Sequence, residues 1–213
     1  MIPPFKRTQD TVTIYGGMTP FKVLRQAVRH PGKREIWGLN GMFRELGIPW
    51  TRWFNLHRLA HLRRDWTYEL NREIAWAKRI WPTPFYGITP WPGVGNSHAF
   101  PLAKLRSLPR GGRYHAGSFD MLAAFAIWLG FKRIELYGVR LMESGEPIAA
   151  RACLEYWLGV AEGRGIETYV HPACDLFAQY HLVKSRTVYG YDDVRLVEER
   201  TTWHWLRGTP PVP

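Results

Sequence analysis

The chain has 213 residues, 46% of them hydrophobic, and a formal net charge of +11. That length suits one ordinary domain or a domain with a tail, and that apolar content excludes a globally disordered polymer. No apolar run is long enough to span a bilayer, and the opening "MIPPFKRTQD" lacks the apolar stretch of a secretory signal.

Cys153 and Cys174 have neither a paired nor a zinc-ligand spacing, which points to a reduced, cytoplasmic compartment. The excess of Lys and Arg favours polyanionic partners such as nucleic acid or nucleotide phosphates. The 11 Trp, 10 Tyr and 10 Phe supply faces that stack on bases or sugars, or simply fill a core.

In chain order, "TVTIYGG" (11–17) reads as a strand entering a glycine turn. "MTPFKVLRQAVRH" (18–30) reads as a helix, with Thr19 as its cap and Pro20 in its first turn. "REIWGLN" (34–40) and "WTRWFNLH" (50–57) look like two further strands, each reaching an Asn. "TYELNREIAWAKRIW" (67–81) places Leu70, Ile74, Ala77 and Ile80 at helical spacing.

The stretch 82–101, dense in Pro and Gly, reads as a long irregular loop. "GSFDMLAAFAIWLG" (117–130) predicts a helix capped by Ser118 and stopped by Gly130, followed by the strand "RIELYGV" (133–139). A helix over 146–165 and a strand over 166–172 complete the pattern. Residues 184–213 mix charge, aromatics and Pro, and are expected to form an arm outside a nucleotide-binding body of 1–183.

Alternating strands and helices imply an α/β fold: a Rossmann-like three-layer sandwich on a mainly parallel sheet, with a C-terminal extension. In such folds ligands bind beyond the carboxyl ends of the strands. Gly16, Gly17, Asn40 and Asn55 should therefore gather at one rim. Gly16 and Gly17 permit close backbone approach to a phosphate, without the full dinucleotide or Walker pattern. Arg110, Arg113, Gly117 and Ser118 in "PRGGRYHAGS" (109–118) combine charge, backbone donors and a helix N-terminus into an anion cradle. His171, His115 and Asp120 are candidate proton acceptors. His57 and His61 stand four apart without a third ligand or an HExxH pattern, so no metal site is assigned.

The stretch "GSFDMLAAFAIWLGFKRIELYGVRL" (117–141) resembles the core of the bacterial sialyltransferases that use CMP-sialic acid. It is also similar to a related group of hydroxymethylpterin diphosphokinase-like and uncharacterised phage proteins. The resemblance spans roughly 11–178 and is specific over 117–139. It implies a nucleotide-sugar or other nucleotide donor, with Ser118, Asn40 and Asn55 at nucleotide-contacting positions. A glycan or nucleic acid is the implied acceptor. Non-catalytic nucleotide or nucleic-acid binding, and diphosphokinase-like phosphotransfer, are the alternative readings. The chain departs from the family in having "YGGMTP" in place of the opening "G-N-G-P-S" loop. Arg140 replaces the family's acidic residue, and "MESGEPIAAR" holds no histidine, so the family's catalytic role does not pass to His171.

Overall fold

The computed structural model describes residues 4–17, 33–41, 48–80, 82–141, 146–172, 174 and 176. The chain divides into the units Met1–Cys174 and Asp175–Pro213. The helix expected over 18–30 and the arm expected over 184–213 lie outside the described residues.

Among the described residues, β1 (Thr11–Tyr15), β2 (Glu35–Leu39), β3 (Arg52–Asn55), β4 (Phe85–Gly87), β5 (Ser97–Ala99), β6 (Arg133–Tyr137) and β7 (Glu167–Val170) form one sheet. Their order is β5-β4-β3-β2-β1-β6-β7, and every pairing is parallel. The Rossmann-like α/β sandwich expected from the alternation is therefore the observed fold. Residues in β2, β3 and β4 are buried without interruption, as parallel strands covered on both faces must be.

The α-helices among the described residues are α1 (Leu59–Asp65), α2 (Thr67–Arg79), α3 (Ser118–Leu129) and α4 (Glu146–Glu162). On one face of the sheet, Tyr15, Ile36 and Trp53 pack with Leu62 of α1 and with Leu70 and Trp76 of α2. Trp53 and Trp76 meet edge to face at 4.4 Å. On the other face, Trp37 and Phe54 meet Phe125 of α3 at 5.6 and 6.1 Å. Much of the aromatic content is thus core. Gly38 is required by this packing, because a Cβ there would lie 2.3 Å from the Trp53 ring.

Two local expectations are corrected and one helix is added. The Pro- and Gly-rich 82–101 contains β4 and β5, three residues each, whose ladders outweigh the turn chemistry around them. α1 is an additional helix. Gly117, with an extended φ of −156°, is the N-cap of α3, and Ser118 is its first helical residue. No helix among the described residues is long and apolar enough to cross a membrane.

Candidate functional site

Because every strand runs the same way, residues that end or follow the strands share one edge of the sheet. From one side to the other they are Gly87, Asn55, Asn40, Gly16, Gly138 and His171. Two features of this edge differ in character.

The first is a cavity of about 350 Å³ between the ends of β2 and β3 and the pair α1–α2. Asn40, Asn55, His57, His61, Trp66 and Glu73 are among its lining residues, and its volume is in the range of small-molecule sites. Asn40 has a φ of +51°, a left-handed backbone that is uncommon for a residue with a Cβ. Its Oδ1 is buried without a hydrogen-bond partner among the described residues. A strained residue with an unpaired buried acceptor is unfavourable for stability and well suited to contacting a ligand donor.

Asn55 is used differently. It is 3% exposed. Its Nδ2 donates to Glu73 Oε2 at 2.8 Å, and its Oδ1 accepts the backbone N–H of His57 at 3.2 Å. Glu73 Oε1 also accepts from Trp53 Nε1 at 2.8 Å. Burial pushes the Glu73 carboxyl up to about 7 in spite of these two donors, and the charge of Glu69 adds to the rise. A carboxyl that titrates near neutrality in a cleft is a functional candidate on physical grounds. Trp66, 58% exposed, stands at the same cavity.

The second feature is the crevice between β1 and β6, where the strand order reverses. Gly16 N–H donates to Tyr137 O at 2.7 Å. A Cβ on Gly16 would stand 2.2 Å from Gly138 O and 2.9 Å from the Phe119 ring, so only glycine lets the two strands and the head of α3 close together. Gly17 is exposed. Ser118 adjoins this crevice through Phe119 and is absent from the lining of the Asn40–Asn55 cavity. The expected rim is therefore one edge with two distinct parts.

The anion cradle expected at 109–118 has a different internal logic. The N-terminus of α3 already carries an anion, Asp120, which is 1% exposed. Its carboxylate accepts the N–H groups of Ala116 and Met121 at 2.7 Å each and of Gly117 at 3.2 Å. Burial raises the Asp120 carboxyl, while these donors oppose the shift. Asp120 thus caps α3, the reciprocal arm of a capping box, and its oxygens are engaged there.

His115 stacks on Trp157 at 5.3 Å, lies 4.0 Å from Asp120, and is held below the usual imidazole range by burial. Arg110 has a φ of +54°, and its guanidinium lies over the rings of Tyr114 and Tyr156 at 5.6 and 5.4 Å. Arg113 is exposed. His171 follows β7 beside Tyr137, at a ring separation of 5.1 Å. Three strand spacings, about 14 Å, separate that position from Asn40.

Glu73 was not among the residues singled out from sequence. Its signal was present: Leu70, Glu73 and Ala77 recur at i, i+3 and i+7, so a carboxyl lay on the buried stripe of α2. Among the described residues no three His, Cys, Asp or Glu side chains group as metal ligands.

No family model and no curated protein matches the chain. Two solved structures are similar to it. One is the sialyltransferase CstII from Campylobacter jejuni with the substrate analogue cytidine-5'-monophosphate, at 18% identity over 75% of this chain and 78% of that one, TM-score 0.49. The other is the sialyltransferase CST-II with a trisaccharide acceptor and CMP, at 17% identity over 75% of this chain and 80% of that one, TM-score 0.51. At these identities the likeness is one of fold.

Proposed function

We propose that the chain is a transferase that binds a nucleotide-activated donor, most simply a nucleotide sugar, at the carboxyl edge of its sheet. The observation that carries this reading is the cavity in which Asn40 and Asn55 meet, with Asn40 strained and its Oδ1 unpaired among the described residues. The nucleoside occupies that cavity. The phosphates extend toward the β1–β6 crevice, where Gly17 and Ser118 leave backbone open to approach, and Arg113, exposed in the 109–118 loop, supplies a cation. The similar structure of the sialyltransferase with CMP and a trisaccharide acceptor supports a nucleotide donor and a hydroxyl acceptor. The net charge of +11 supports a polyanionic acceptor, a nucleic acid or an acidic glycan.

The test is calorimetric titration of the full chain with CMP, UMP and GMP. One nucleotide should bind at micromolar affinity, and Asn40→Ala should weaken it about tenfold, the effect of one lost hydrogen bond in a closed site. If no nucleotide binds below millimolar concentration, or if Asn40→Ala leaves affinity unchanged, the assignment fails. Tight binding with no release of nucleotide from a sugar conjugate identifies a sequestering module in place of an enzyme.

A further inference from the structure

Trp66 occupies a position where the fold has no use for an indole. It closes α1 and opens α2: its N–H donates to Leu62 O and its carbonyl accepts from Leu70 N, both at 2.9 Å. The N-cap of a helix favours Ser, Thr, Asp or Asn, and the Trp66 side chain makes no cap hydrogen bond. Nor does it fill the core. Trp37, Trp50, Trp53, Trp76, Trp91 and Trp157 are each 8% exposed or less, whereas Trp66 is 58% exposed. Two positions on, Tyr68 is 70% exposed, and the Arg72 guanidinium lies over its ring at 5.5 Å. Large rings that neither cap nor pack break the local rules, and contact with a partner accounts for them.

The surroundings give this surface a sign. Arg58, Arg63, Arg64 and Arg72 are exposed along α1 and the first half of α2. Asp65, the exposed acid among them, is taken up by Arg64 at 2.7 and 2.9 Å and lies 3.2 Å from His61. Arg58 and Arg63 form no ion pair among the described residues. Aromatic faces set among guanidinium groups suit a polymer that offers a stackable ring and an anion in every repeat. Single-stranded nucleic acid does so, whereas a duplex hides its base faces and an acidic glycan has no aromatic ring.

We propose that the α1–α2 corner docks single-stranded nucleic acid, with Trp66 and Tyr68 stacking on unpaired bases and Arg58 and Arg63 meeting phosphates. Trp66 also lines the Asn40–Asn55 cavity, so under the transferase reading the surface holds a polymeric acceptor next to the nucleoside. It is a binding surface and carries no bond-making step. It therefore stands or falls apart from that reading.

Fluorescence anisotropy of the full chain with a labelled oligothymidylate, about 15 nucleotides long, reads the docking without any donor. The strand should bind at about micromolar affinity, and about tenfold more tightly than a thymidylate–adenylate duplex of the same length. Trp66→Ala should weaken it about tenfold, while Trp66→Phe, which keeps a stacking face, should stay within about threefold of wild type. Arg58→Ala combined with Arg63→Ala should lower the slope of log affinity against log salt by about 1.4. Thermal melts check that these variants, all at exposed positions, keep the fold. Equal affinity for the duplex, or an affinity unmoved by Trp66→Ala, overturns the stacking surface. A slope unmoved by the arginine pair overturns the phosphate contact. Tighter binding of polysialic acid than of oligothymidylate makes the occupant an acidic glycan and ends the proposal. Displacement of the strand by saturating CMP ends it too, because Trp66 then serves the nucleoside in the cavity. A chain that binds the strand through Trp66 but binds no CMP, UMP or GMP keeps the docking surface and loses the transferase reading. Nucleotide binding with no strand binding does the reverse.

Discussion

At the amino edge of the sheet, Arg52 and Glu35 are both 0% exposed and closed into protein partners, whereas at the carboxyl edge Asn40 Oδ1 is buried with none among the described residues. Glu35 accepts from Arg52 Nε at 2.6 Å, Trp37 Nε1 at 2.9 Å and Thr8 N at 2.7 Å. Arg52 also donates to the carbonyls of Pro4 and Lys6 and to the Tyr86 hydroxyl. Burial alone would raise the Glu35 carboxyl, but the guanidinium and indole donors overcome it and hold it below the usual range. Glu73, with two neutral donors and no cation among its hydrogen-bond partners in the described residues, is shifted in the opposite direction. The two edges of the sheet therefore meet two kinds of buried carboxyl. Glu35, ion-paired with Arg52, locks the N-terminal segment under the strands, and Glu73, held by neutral donors, is raised toward neutrality.

Removing a partner at the closed edge should have the largest effect. Arg52→Ala strands a buried carboxylate and is expected to cost about 3–5 kcal/mol in urea unfolding. The joint replacement Arg52→Met with Glu35→Leu should recover most of that loss. A cost below about 1 kcal/mol for Arg52→Ala would erase the contrast between the edges.

Next comes the pH dependence carried by Glu73. Its folded value, about 7, lies above the ordinary 4.5, so the native state retains a proton that the unfolded chain has released. Stability is accordingly highest below pH 4.5 with respect to this group and falls as pH rises to about 7, by up to roughly 3 kcal/mol. Glu73→Gln should flatten that decline in thermal melts across the same window. A variant with the parent's slope would place the titration elsewhere.

A smaller effect is expected at Asn40. Asn40→Gly relieves the left-handed strain and deletes an Oδ1 that is unpaired among the described residues, so it should raise stability by about 0.5–1 kcal/mol while weakening CMP binding. A loss of stability would mean that the Asn40 side chain is structural. The smallest effect belongs to Ser118→Ala. Because Gly117 is the cap and Asp120 takes the N–H groups of Ala116, Gly117 and Met121, the change in unfolding free energy should stay within about 0.5 kcal/mol. Asp120→Ala, by contrast, should cost about 1–2 kcal/mol.

The sheet was legible because its signals are local. Val12, Ile14, Ile36 and Trp37 announce buried strands, and the glycines or asparagines that follow β1, β2 and β3 announce their ends. β4 and β5 were hidden because three-residue strands have no measurable period, and Pro84, Pro90 and Pro92 dominate the stretch around them. The convergence of Asn40 with Asn55 followed from topology. Their division of labour did not, since it depends on a carboxyl from α2 meeting one amide and missing the other. In the 109–118 loop, residue types suited to holding a phosphate serve also to hold Asp120, and that contact is visible only in the folded geometry.

The position of β1 has a consequence for biosynthesis. It precedes the other described strands in the chain, yet it lies between β2 and β6, and Thr13 bonds Glu135 across 122 residues. On the ribosome, one flank of β1 must therefore wait unpaired until β6 has been translated. That flank is where a nascent chain would stick to its neighbours, and it defines the interval in which a holdase would matter most.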